Sequence, residues 1–146
     1  MPSLVLLEAR LELLWVRAAL RLFPAATVRA ALRPVPARRS SARPQAPLLA
    51  AFARACREPW LQTSCLARAV ALKRMLARRG RDARLRIGLA PTNPPRGHAW
   101  VELAGKVLLD DPAVGERYGF VLRDETLQAF PFVSPARIDF TRSVVS

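Results

Sequence analysis

Along residues 3 to 23 the apolar positions Leu4, Leu7, Leu11, Leu14, Ala18 and Phe23 recur at roughly helical spacing, with the charged residues mainly between them. This period predicts an amphipathic helix within an N-terminal helical arm, residues 1–32. Its stripe is expected to pack on the chain's own domain, the alternative being a partner enzyme or a membrane surface. From Arg33 to Pro47, four prolines and a basic cluster exclude regular structure over most of the stretch, which reads as a linker or loop. A short helix is expected from Pro47 to Glu58, closed by Pro59, within a domain spanning 48–146.

Thr63 and Ser64 are good N-cap residues directly ahead of an Ala/Leu/Arg run that opens at Cys65 and stops at Gly80, so Cys65 sits in a helix's first turn. Next, Leu85, Ile87 and Leu89 alternate with Arg84, Arg86 and Gly88, the pattern of a half-buried strand. Pro91, Pro94 and Pro95 mark a loop. His98 to Leu103 alternates again, Ala104-Gly105 turns the chain, and Lys106 to Asp110 returns, which makes a β-hairpin.

Composition changes this picture in three ways. A hydrophobic content of 51% over 146 residues suffices for one domain with a real core. The net charge is +13, from 24 Lys and Arg against 11 Asp and Glu, and suggests an anionic partner such as an acidic peptide or protein. The basic residues are scattered among Ala and Leu, without interleaved stacking aromatics, so nucleic acid is not the expected partner. Two cysteines, Cys56 and Cys65, are too few for a disulfide scaffold and lack the spacing of a zinc site, so no cofactor or metal is expected and a reducing cytoplasm is the default. Charges interrupt the N-terminal apolar stretch throughout, so neither a signal peptide nor a transmembrane segment is expected.

The only histidine, His98, lies 33 residues after Cys65 and 12 before Asp110. A thiol becomes a good nucleophile as thiolate, an imidazole can generate it, and a carboxylate orients the imidazole. Cys65 shares a helix face with Ala69, Leu72 and Leu76, as a core residue would, but the first turn argues against inert burial. Cys56, read as mid-helix, has no such signal. In the hairpin a strict two-residue Ala104-Gly105 turn pairs His98 with Asp111, whereas a bulged turn pairs it with Asp110. Spacing permits both. The order and topology resemble those of papain-like and transglutaminase-like cysteine enzymes, which implies an α+β class with N-terminal helices followed by a small antiparallel sheet.

Cys65-Leu66-Ala67-Arg68-Ala69-Val70-Ala71-Leu72, Arg79-Gly80, Leu85-Arg86-Ile87-Gly88 and His98-Ala99-Trp100-Val101-Glu102, followed by Gly105 and Asp110, form one pattern. It resembles the transglutaminase-like leader peptidase of lasso-peptide biosynthesis, the stand-alone protease half of the B protein, over roughly residues 46 to 111. The resemblance implies a cysteine peptidase that removes the leader from a ribosomally made precursor, working with a separate leader-recognition protein and an ATP-dependent lasso cyclase. The family's catalytic residues map onto Cys65, His98 and Asp110, which favours the bulged register. Rival readings are an acyltransferase or transglutaminase with the same triad, and a non-catalytic scaffold. Gln62 is a candidate second oxyanion donor, and Trp100 is expected mainly to pack the core. Residues 112–146 carry no readable signal.

Overall fold

Helix α4 (Cys65–Arg78) is apolar nearly all round because it lies at the centre, between the other helices and a sheet. Leu66, Val70, Leu72, Met75 and Leu76 are all buried along it. The structure, a computed structural model, describes residues 2–34, 45–92, 96–118, 120–122 and 140. Ahead of α4 run α1 (Pro2–Leu22), α2 (Pro24–Leu32) and α3 (Ala46–Cys56), followed by a 3-10 turn over Pro59–Leu61. Strands β1 (Ala83–Ala90), β2 (Arg96–Leu103), β3 (Lys106–Leu108) and β4 (Phe120–Leu122) form an antiparallel sheet in the order β3-β2-β1-β4. The expected α+β class with helices first is the one observed.

Alternation along the strands divides the interior. Leu85, Ile87, Ala99 and Val101 join the helices in the main core, whereas Trp100, Val114, Tyr118 and Ala90 form a second, smaller cluster. Within the main core, α1 packs on α3 and α4, and α2 packs on α1, α4 and β1. Buried Lys73 on α4 donates from Nζ to the carbonyls of Ala31 and Arg33 at the C-terminus of α2, where unpaired carbonyls favour a cation.

The face of α1 is a correction. Leu6, Ala9, Leu13 and Val16 are buried, while the predicted stripe Leu4, Leu7, Leu11 and Leu14 points outward at 40–64% exposure. The helix is apolar on two opposite faces, so periodicity alone selects either. Ion pairs choose between them: Glu12, only 6% exposed, is held by Arg74 and Arg78 of α4, Glu8 by Arg78 and Arg79, and Arg10 by Glu58. The charges between the stripe residues thus mark the inner rim of the helix. Leu13→Ala is therefore expected to cost about 3 kcal/mol in chemical denaturation and Leu11→Ala less than about 1 kcal/mol. The reverse order would contradict this orientation.

Other boundaries differ in smaller ways. The Pro/Arg-rich stretch lies largely outside the described residues, although its last two residues, Ala46 and Pro47, already belong to α3. Helix α3 ends at Cys56, two residues before the expected Glu58. Among the described residues, no helix is long and apolar enough to cross a membrane.

Candidate active site

Ser64 caps α4 with an extended backbone, its hydroxyl accepting the Ala67 N–H at 3.2 Å, so Cys65 is the first helical residue as expected. Its thiol lies at the positive end of the helix dipole. That end of α4 abuts the start of β2. Cys65 Sγ approaches the Gly97 carbonyl at 4.0 Å and the Phe140 carbonyl at 3.3 Å, and the side chain hydrogen-bonds the His98 imidazole.

On its other side His98 Nε2 meets Asp110 Oδ2 at 2.6 Å, so Nδ1 is the ring nitrogen left for the thiol. The predicted trio is brought together, but not by the expected route. Leu103 pairs with Lys106 across a plain two-residue turn, with Ala104 and Gly105 both left-handed at φ 50° and 77°. Continued regularly, that register would set Asp111 opposite His98. Instead β3 stops at Leu108 and Leu109 flips to φ 54°, a conformation costing a non-glycine residue about 1 kcal/mol, and this kink swings Asp110 onto the imidazole. The bulged turn expected at Gly105 is absent. Asp111 is occupied elsewhere: its Oδ1 accepts the Ala113 N–H at 2.9 Å and its Oδ2 pairs with Arg117.

His98 is 8% exposed and stacks on Tyr118, with ring centroids 5.6 Å apart, and on Trp100 at 6.1 Å. Trp100 is buried, as expected, and its indole N–H donates to Glu102 at 3.1 Å. Gly88 faces His98 across the sheet, and a Cβ there would meet Tyr118 Cγ at 2.6 Å and Trp100 Cζ3 at 3.0 Å. Tyr118 was not foreseen. A glycine inside a strand pattern signals close approach by another group, and Gly88 was the available clue.

Burial alone would depress the His98 pKa, but hydrogen bonds with Cys65 and Asp110, together with their charges, outweigh it and raise it above 6.5. Because the folded value exceeds the unfolded one, protonated His98 stabilises the fold fully at pH below the unfolded pKa. That contribution is lost as pH rises through the folded pKa. As the sole histidine, it gives one Cε1–H resonance in NMR, expected to titrate above 6.5 and to fall in Asp110→Asn. A wild-type midpoint at or below 6.5 would contradict the contacts described.

Cys65, His98 and Asp110 open into a cavity of about 270 Å³ walled by Phe52, Ala53, Leu72 and Leu108. Cys56 lines the same cavity from the last turn of α3, not mid-helix, and burial pushes its thiol pKa up against the opposing pull of Arg68 and Arg57. The two thiols therefore sit at opposite helix poles, with only Cys65 at the favourable one. Gln62 is exposed and lines a neighbouring cleft. Among the described residues, no three His, Cys, Asp or Glu side chains gather as metal ligands would.

No curated protein and no solved structure matches the chain. A family model described as the transglutaminase-like superfamily matches residues 6–123, from α1 through β4. That span holds the helix-capped cysteine, the strand histidine and the facing carboxylate, and the chain belongs to the transglutaminase-like superfamily.

Proposed function

We propose that this protein is a cysteine peptidase that removes the leader from a ribosomally made lasso-peptide precursor, freeing an amine on which a separate ATP-dependent cyclase closes an isopeptide ring. The observation that carries the acyl-transfer part is the contact chain from a thiol at a helix N-terminus, through His98, to the Asp110 carboxylate. The Cys65 thiolate attacks the scissile carbonyl, the His98 imidazolium protonates the leaving amine, and the resulting neutral imidazole takes a proton from water, whose hydroxide releases the acyl group. Asp110 holds the ring by its Nε2 edge. The Cys65 N–H, without an intrahelical partner in the first turn, donates to the oxyanion.

The choice of a leader as substrate rests on the resemblance of residues 46 to 111 to lasso leader peptidases. A separate leader-recognition protein would deliver the precursor, and the outward Leu4-Leu7-Leu11-Leu14 stripe of α1 offers it an apolar surface. Tethering to such a protein raises local substrate concentration to millimolar order. The test incubates the purified protein with a synthetic lasso-peptide precursor, with and without a purified lasso leader-binding protein, in the presence of glycine amide. Mass spectrometry is expected to show one cut between leader and core, faster with the partner and yielding free carboxylate. Predominant glycine-amide adduct would make the enzyme a transglutaminase instead, and an intact precursor in every arm would overturn the reading.

A further inference from the structure

Beside the catalytic cavity, but separate from it, lies a cleft between the C-terminal part of α1 and the start of α4. Its walls carry Arg17 and Arg21 from α1, Arg68 from α4, and Gln62 and Ser64 from the segment leading into Cys65. Most arginines around α1 and α4 are committed: Arg10 to Glu58, Arg74 to Glu12, Arg78 to both Glu8 and Glu12, and Arg79 to Glu8. Arg17, Arg21 and Arg68 form no ion pair among the described residues. Among the described residues no carboxylate lines the cleft either. Arg68 also lines the cavity that holds Cys65 and His98, so the two depressions share a wall.

Three uncompensated guanidinium groups converging on one cleft repel each other unless an anion joins them, and their planar forks suit carboxylates. The cleft lies between two helices, and Arg68 is common to it and to the cavity that holds the thiol. A single small anion would use one part of it. An extended chain bearing several carboxylates would use all three arginines while delivering its next residues to the thiol. Nucleic acid fits less well, because among the described residues the cleft lining holds no aromatic on which a base could stack.

We infer that this cleft binds an acidic segment of the peptide substrate and that Arg17, Arg21 and Arg68 determine specificity for carboxylates on one side of the scissile bond. This rests on the proposed peptidase reading for its meaning, but the binding itself does not require turnover.

The experiment measures calorimetric affinity for three synthetic decapeptides, identical except for four consecutive Glu, Gln or Lys residues, together with neutral iodoacetamide alkylation of Cys65. The wild-type protein is expected to bind the Glu peptide at least about tenfold more tightly than the Gln peptide, and bound Glu peptide is expected to slow Cys65 alkylation. Arg17→Gln/Arg21→Gln/Arg68→Gln should lose that preference. Arg29→Gln/Arg33→Gln/Arg84→Gln, which removes the same charge elsewhere, should keep it. An equal loss in both triple variants would reduce the effect to net charge and overturn the inference. So would absence of protection at Cys65, or tighter binding of a single-stranded decanucleotide than of the Glu peptide. If the Glu peptide binds as expected while no precursor is ever cut, the peptidase reading falls and the acidic-segment site stands.

Discussion

Cys65→Ala is expected to leave the protein folded and to lower peptide cleavage by on the order of 10³-fold or more, to background, while Cys56→Ala stays active. Cys65 is half-buried at a helix start, so deleting its sulfur removes little packing but takes away the atom that would form the acyl bond. Cys56 offers the converse case. Its thiol lines the same cavity, yet burial holds it protonated and it sits at the negative end of α3. Proximity to the cavity alone would make the two cysteines interchangeable, whereas helix polarity and the imidazole contact distinguish them. Circular dichroism checks the fold of both variants, and precursor cleavage by Cys65→Ala would refute the mechanism.

Asp110→Asn is expected to reduce kcat/KM by about 10³ to 10⁴, as the equivalent change does in the serine triad, because an amide nitrogen facing Nε2 favours the wrong tautomer. Asp111→Asn should act mainly on stability, by about 1 kcal/mol or less, since its pair with Arg117 is solvent-exposed. The two residues are adjacent and chemically identical, so the comparison isolates placement. Greater catalytic damage from Asp111→Asn would mean that the Leu109 kink is absent and that the regular hairpin register reaches the imidazole.

Much of the candidate site is legible in the sequence because its signals are local. Ser64 ahead of Cys65, Gly80 after Arg79, and the alternation around His98 each announce themselves within a few residues, and helix α4 and the β1-β2-β3 order follow. What is hidden depends on distant partners. The inward face of α1 is decided by arginines in and just past α4, 62 and 71 residues away, since the helix itself is apolar on both sides. The contact with Asp110 depends on a left-handed leucine, and leucine is not a residue type that signals such a position. Tyr118 and the arginine cleft are likewise products of tertiary assembly, and only Gly88 hints at the former. Residues 123–139 and 141–146, part of the stretch that carries no readable sequence signal, lie outside the described residues.

The 12-residue separation of His98 and Asp110 has a consequence for the order in which the site comes into being. Both belong to one tight hairpin, an element of the kind that closes in about 1–10 μs once its residues are available. Cys65 lies on a helix that precedes this hairpin in the chain and meets it only when helix and sheet dock. During synthesis from the N-terminus, the thiol therefore emerges before its base, and the base finds its carboxylate before it finds the thiol. A nascent or partly unfolded chain carries a cysteine without an imidazole beside it, so the reactive thiol exists only while helix and sheet are docked.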